Sequence, residues 1–171
     1  MKHIFYLISF TACLSVQAQN QSSKIAAIRA AYTAINTDIA YKVVNLDNEI
    51  LLEDHPGEVP DGGEELTGYF KGKEVKKIVY FLGISRGNYQ YEYYFDKGKL
   101  CFVYETFDTF LQIPTGLDLS KTKTIFEGRY YFDNNKLIAY KVKGTSPYSP
   151  YAASDLPQMA ADHLNRLIKK R

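Results

Sequence analysis

The sequence predicts an α+β domain in which an antiparallel meander sheet of six to seven strands is covered on one face by an N-terminal and a C-terminal helix. Two observations predict this fold: a turn motif that recurs between aromatic runs, and one amphipathic stretch near each end of the chain. No helical stretch alternates with the strands, which argues against a parallel α/β sheet. The composition, 46% hydrophobic and 15% aromatic over 171 residues, is typical of a folded domain and not of a disordered chain.

Three copies of the turn motif define most of the predicted strands, at Tyr69–Lys73, Tyr94–Lys99 and Tyr131–Lys136. In each copy an aromatic strand end meets Gly or Asn, residues that accept positive φ, as tight β-hairpin turns require. Another turn is predicted at Ser85–Asn88. The strands therefore cover residues 64–107 and 122–143, and the segment 108–121, which contains a Pro and a Gly, is predicted to link them across an end of the sheet.

The helices are predicted from apolar residues at steps of three and four. At the N-terminal end these residues predict a helix over 23–40; they are Ile25, Ile28, Tyr32, Ile35 and Ile39. At the C-terminal end a helix opens at Ser154 or Asp155, and its apolar stripe is Leu156, Ala160, His163, Leu164, Leu167 and Ile168. Residues 41–46 fit either an extension of the first helix or a strand.

The first 18 residues have the features of a secretory signal peptide. A basic start at Lys2 precedes the apolar run Ile4–Val16, and Val16 and Ala18 place small residues ahead of a cleavage point. The run is shorter than the roughly 20 residues that a helix needs to cross a bilayer, so no transmembrane segment is expected. Lipid anchoring at Cys13 is a second interpretation that fits the pattern less well. We expect residues 19–171 to form a single domain that is periplasmic or secreted.

Charge is nearly balanced over the chain, with a formal net charge of +2, which argues against a nucleic-acid partner. The segment Asp47–Glu65 is acidic, because eight acids and no Lys or Arg lie between Val43 and Phe70. Such a segment is either a solvated loop that faces a basic partner or an oxygen-rich site for Ca²⁺. It lacks the spacing of an EF-hand loop, so the sequence predicts no specific metal site.

One catalytic pattern is present. Gly83–Gly87 matches G-x-S-x-G around Ser85, and Asp118 and His163 follow in the order of an α/β-hydrolase triad. The pattern predicts a hydrolase only if Ser85 stands between a strand and a helix, whereas here a strand is expected on both sides. Cys101 lies in an apolar strand and is predicted to be a structural thiol. Metal-ligand spacings and nucleotide-binding loops are absent from the sequence, so no cofactor is expected.

Tyrosines fall on both sides of the predicted strand around residue 91, so some rings should lie on the sheet face away from the helices. Tyr has a large contact area and a polar tip, which suits a recognition surface, although aromatic residues also favour strands for their own sake. The candidate binding residues are Tyr89, Tyr91, Tyr93 and Tyr131 as ring contacts and Glu92 and Arg129 as polar contacts.

The runs Gly62–Phe70, Tyr93–Phe95 and Phe126–Phe132 resemble small secreted or periplasmic bacterial proteins of unassigned function, over residues 60–140. This resemblance implies no catalytic residues. The sequence therefore predicts an exported, non-catalytic binding protein of the bacterial envelope, of the inhibitor or immunity type, that binds an envelope or secreted protein. The first alternative is a carrier with an apolar-ligand pocket between the sheet and the helices. The second alternative is a hydrolase that uses Ser85.

Overall fold

The computed structural model describes residues 5–54, 60–147 and 151–171. Its elements, in chain order, are α1 (Phe5–Thr37), β1 (Lys42–Leu46), α2 (Asn48–Asp54), β2 (Glu64–Lys71), β3 (Glu74–Ile84), β4 (Gly87–Asp96), β5 (Lys99–Ile113), β6 (Gly116–Asp133), β7 (Lys136–Gly144) and α3 (Leu156–Lys169). Parts of two predicted segments lie outside the described residues: residues 1–4 and the Cys13 side chain of the signal peptide, and residues 55–59 of the acidic loop.

The strands form one sheet in which each strand pairs with its neighbours in the chain, in the order β1 to β7, and every pair is antiparallel. The predicted meander is therefore confirmed, and residues 42–46 form a strand, β1. Two of the predicted turns have the left-handed residue pair of a tight hairpin: Lys97 and Gly98 have φ of 50° and 75°, and Asn134 and Asn135 have φ of 50° and 61°.

The two terminal helices lie on opposite faces of the sheet, which corrects the prediction that both cover one face. Adjacent residues of a strand point to opposite faces. Tyr93 lies in the large core cluster beneath α3, whereas Tyr94 packs against α1 together with Ile28 and Ile35. At Tyr93 and Tyr94 both faces of β4 are therefore buried, each under a different helix.

The helix α1, described over Phe5–Thr37, extends further toward the N-terminus than the predicted helix over 23–40. It ends three residues earlier than predicted. Its end has a local cause: the Asp38 side chain accepts a hydrogen bond of 3.0 Å from the backbone N–H of Ala40, which offers the chain a turn in place of a further helical bond. In the part of the chain that the structure describes, no helix is both long and apolar enough to span a membrane.

The predicted linker over 108–121 is instead a continuation of the β5–β6 hairpin. The pairing runs out to Ile113 and Gly116. It passes the last pairs with the neighbouring strands, Gly87 with Thr109 and Phe126 with Gly144. We call residues 110–124 the arm. Pro114 lies in the turn that joins β5 to β6, and Gly116 is the first residue of β6.

The helix α3 buries the stripe that its sequence predicts, through Leu156, Ala160, His163 and Leu167. Ile168, also placed on that stripe, is 55% exposed. The absence of a side chain at Gly68 of β2 allows this close packing, because a Cβ there would lie 2.8 Å from the Cδ1 atom of Leu167.

Candidate functional site

A groove lies between α1 and the sheet face that α1 covers. Its volume is about 290 Å³ and it opens to solvent. The lining residues come from α1, β5 and β6; they are Ile28, Arg29, Tyr32, Phe102, Tyr104, Arg129 and Tyr131. We call this site the groove.

Strand pairing places the four sheet residues of the groove in a square. Phe102 pairs with Tyr131, and two residues further along each strand Tyr104 pairs with Arg129. Alternation along the strands then turns all four side chains to the same face. The helix supplies the opposite wall, with the Tyr32 ring centroid 5.4 Å from that of Phe102.

Each arginine of the groove lies over an aromatic ring. The Arg129 guanidinium carbon is 5.1 Å from the Tyr104 ring centroid, and that of Arg29 is 5.9 Å from the Tyr131 centroid. Arg129 also donates through Nη2 to the Glu127 carboxylate at 2.9 Å. Among the described residues Arg29 forms no ion pair. One arginine of the groove is therefore paired and the other is open to an anion.

The charge around the groove is positive. Lys143 approaches the other oxygen of Glu127 to 4.0 Å, so Glu127 lies between two cations, Arg129 and Lys143, and Arg29 on α1 adds a third positive charge to the groove. Burial and then the charge of Glu127 raise the pKa of Tyr104, which keeps this phenol neutral. The groove thus combines apolar ring surfaces with unbalanced positive charge.

Glu92, a predicted binding residue, lies beside the groove and holds α1 in place. It accepts a hydrogen bond from the Tyr94 hydroxyl and pairs with Lys77 at 3.0 Å. Asn36 of α1 donates to the same Tyr94 hydroxyl at 3.1 Å and accepts from Lys77 at 3.3 Å. This network fastens the end of α1 to β3 and β4. Glu92 is therefore engaged in contacts within the chain, with Tyr94 and Lys77.

The predicted ring contacts divide between two places. Tyr131 lines the groove and is 8% exposed, and Arg129 lies with it. Tyr89, Tyr91 and Tyr93 are 2%, 1% and 0% exposed and stack under α3, with successive ring centroids 6.0 and 6.2 Å apart. The prediction that these three rings form an exposed surface is therefore wrong, because α3 covers the face onto which they project.

Sequence reasoning missed the helix wall of the groove. The helical spacing predicts only that Ile28 and Tyr32 lie on the apolar side of α1, and it assigns no role to Arg29. The available signal was their spacing, since residues 28, 29 and 32 lie within about one turn and share an edge of the helix. Tyr104 is not among the predicted binding residues, because nothing in the sequence distinguishes it from the other strand tyrosines.

A second polar cluster is buried beneath α3. Glu105, 2% exposed, accepts a 3.0 Å hydrogen bond from the Tyr130 hydroxyl. Burial raises the pKa of Glu105, against the opposing effect of hydrogen bonds from Tyr130 and Tyr91. His163 and the Tyr93 hydroxyl lie in the same core, and neither has a hydrogen-bond partner within the described residues. This cluster is closed by packing and presents no surface to a partner.

The candidate nucleophiles have the surroundings of structural residues. Ser85 is exposed in the turn between β3 and β4, with a strand on each side, so the strand-to-helix geometry of a hydrolase nucleophile is not formed. Burial raises the pKa of Cys101 to about 12, and its thiol donates to the Tyr94 carbonyl at 3.3 Å. The predicted structural role of Cys101 agrees with this burial.

The described parts of the acidic segment make local contacts. Glu64 accepts a 2.9 Å hydrogen bond from the Tyr80 hydroxyl, and Glu65 accepts one of 2.6 Å from Asn45. Across the described ranges, no group of three or more His, Cys, Asp or Glu residues is arranged to hold a metal ion.

Comparison of the chain with protein-family models, with curated proteins and with solved structures finds no significant match. The fold and the groove therefore carry the functional argument.

Proposed function

We propose that this chain is an exported, non-catalytic binding protein, periplasmic or secreted, that binds a protein partner through the sheet face on which α1 lies. The observation that carries the proposal is the groove, since it is an open site with aromatic walls and two arginines. Tyr and Arg are the residue types that most often supply the energy of protein interfaces.

The surface next to the groove supports a partner larger than a small molecule. Strand pairing forms a row across the sheet on the same face, two residues beyond the groove; its members are Phe81, Gln90, Thr106 and Glu127. We call this the open row. Its side chains are half-buried and stand apart from the residues that pack against α1. A partner seated on the groove would extend naturally across the open row.

A small-ligand carrier is the second candidate, because the groove is a concave site lined largely by apolar and ring surfaces. Ligand pockets measure roughly 300–1,000 Å³ and enclose most of the ligand. The groove, at about 290 Å³, is near the lower end of that range and is open. A site of this size suits one anchoring side chain of a partner better than a whole enclosed ligand.

Affinity capture with two matched arginine substitutions tests the proposal. Thr106→Arg places a bulky charge in the open row, and Asn165→Arg places the same charge on the exposed side of α3. Both proteins, and the wild type, are used as bait for envelope and secreted fractions, and the bound proteins are quantified by mass spectrometry. Circular dichroism and melting temperature check that both variants are folded.

We expect a protein that wild type and Asn165→Arg enrich equally and that Thr106→Arg loses at least tenfold. Equal enrichment by both variants would show that this face is not the binding surface. If wild type enriches no protein over empty beads while small apolar compounds saturate the groove, the carrier is the correct function.

A further inference from the structure

We propose that the groove recognises an acidic peptide segment in which a carboxylate side chain stands next to an aromatic residue. The proposal rests on the proposed function, because it names the part of the protein partner that enters the groove.

The two arginines face the groove from different elements, Arg29 from α1 and Arg129 from β6. A guanidinium has five N–H donors in a planar fork, which matches the two oxygens of a carboxylate. Glu127 accepts from Nη2 of Arg129, and within the described residues the other guanidinium donors have no hydrogen-bond partner. Ring contacts with Tyr131 and Tyr104 hold both head groups near the groove, which lowers the entropy lost when an anion binds.

The charge balance favours an anion over a cation. Arg129 and Lys143 both pair with one carboxylate, Glu127, and Arg29 adds a third positive charge at the groove, so these four groups carry a net charge of +2. The nearest further pair, Lys77 with Glu92, is closed on itself at 3.0 Å and adds no net charge. A partner's carboxylate would lower this net charge to +1, whereas a cation would raise it.

The walls require an apolar part as well. Ile28, Tyr32 and Phe102 offer aliphatic and ring surface that a small inorganic anion would leave uncovered. Tyr32 is 36% exposed, so an aromatic side chain of the partner can pack against it and exclude water. Exclusion of water in turn strengthens the attraction between the arginines and the carboxylate.

Peptide binding followed by ¹⁵N–¹H NMR tests the inference. The probes are the capped tetrapeptides Gly-Asp-Phe-Gly, Gly-Asn-Phe-Gly and Gly-Asp-Ala-Gly, which separate the charge from the ring. The proteins are wild type, the double variant Arg29→Gln/Arg129→Gln, and Arg86→Gln as control, since Arg86 is exposed in the β3–β4 turn. Glutamine retains much of the length and polarity of the side chain while removing the charge.

We expect Gly-Asp-Phe-Gly to shift the amides of residues 28–32, 102–104 and 129–131, and to bind at least tenfold more tightly than the other two peptides. The double variant should lose at least tenfold, and Arg86→Gln should stay within twofold of wild type. Equal binding of the Asn and Asp peptides, or no saturable shift at the groove, would overturn the inference.

The same double variant separates this inference from the proposed function. If Thr106→Arg abolishes partner capture while Arg29→Gln/Arg129→Gln retains it, the face is the interface but the carboxylate site is wrong. If capture is insensitive to Thr106→Arg, the proposed function fails whatever the peptides do.

Discussion

His163 is buried on α3 between the rings of Tyr80 and Tyr93, at centroid distances of 4.4 and 5.6 Å. Neither ring nitrogen has a hydrogen-bond partner within the described residues. Burial, with a smaller effect from the charge of Arg166, lowers the pKa of His163 to about 3. The folded chain therefore holds a neutral imidazole at pH values where an exposed histidine is charged.

Replacement of His163 by Leu should remove a pH dependence of stability. In the unfolded chain the pKa is near 6.5, so between about pH 6.5 and 3 the unfolded chain binds a proton that the folded chain does not. The stability contributed by the neutral histidine is thus complete above pH 6.5 and is lost as the pH falls toward 3. Two pH units below 6.5 the loss is about 3 kcal/mol.

Urea unfolding at pH 7.5 and pH 4.5 measures this effect. The free energy of unfolding of His163→Leu minus that of wild type should be about 3 kcal/mol larger at pH 4.5 than at pH 7.5. Glu105, whose pKa burial raises, acts in the opposite sense, since its contribution is lost as the pH rises. It is present in both proteins and cancels in the comparison. A difference that does not change with pH would mean that the pKa of His163 is the same in the folded and the unfolded chain, so that burial does not hold the imidazole neutral.

At the scale of the element, β4 joins two cores, because Tyr93 projects under α3 and Tyr94 under α1. Tyr93→Ala should destabilise the fold by about 3–5 kcal/mol, as removal of a fully buried aromatic ring does. Tyr93→Phe should be close to neutral, because the hydroxyl has no partner within the described residues.

Tyr140→Ala on β7 is the matched control, since this tyrosine is 65% exposed, and it should change stability by less than about 0.5 kcal/mol. Chemical denaturation of the three variants gives the comparison. If Tyr93→Ala were as stable as Tyr140→Ala, the packing of α3 on β4 would not contribute to the fold.

The arm should be the least protected part of the sheet. Beyond the pairs with β4 and β7 the arm is a two-stranded ribbon in which residues 119–121 have no pairing partner, and isolated ribbons are marginally stable. Two of its apolar residues, Leu117 and Leu119, are 38% and 66% exposed. Native-state hydrogen exchange should therefore be at least 100-fold faster for residues 111–121 than for residues 89–94 of β4. Equal protection would show that contacts beyond the ribbon hold the arm.

The turns were the predictable part of these elements, and the length of the arm was not. Asn134 and Asn135 adopt the left-handed conformation that their sequence favours, so the β6–β7 turn could be located in advance. Pro114 and Gly116 carry the same kind of signal, but a turn residue does not reveal whether the flanking strands remain paired. The sequence therefore predicts a linker where the structure has the arm.

At the scale of the whole molecule, sequence alternation could not assign each helix to a face. It shows that a strand has two faces, and the unbroken aromatic run Tyr93–Phe95 is typical of a strand covered on both of them. Tyrosines on both sides of a strand predict an exposed ring surface only if one face is open, and at Tyr93 and Tyr94 the two faces are covered by α3 and α1. Of the six predicted binding residues, Arg129 and Tyr131 lie in the groove because β6 brings them to the face that α1 covers.

The part of α1 after the predicted cleavage point carries the contacts that form the groove. Ile25, Ile28, Tyr32 and Ile35 pack on the sheet or line the groove, and the earliest described ion pair of the helix is Lys24 with Asp133 at 2.5 Å. A chain that begins at Gln19 should therefore fold with the groove intact.

A chain that begins at Asp38 should retain the core under α3 but expose Tyr94, Phe102 and Tyr131, which are buried on the α1 face. Such an aromatic patch favours self-association. Light scattering and binding of the dye ANS separate the two chains: the longer one should bind little dye, and the shorter one should bind dye and associate. If the chain that begins at Asp38 stayed monomeric and bound no dye, α1 would not be the cover of this face, and the groove would have no helix wall.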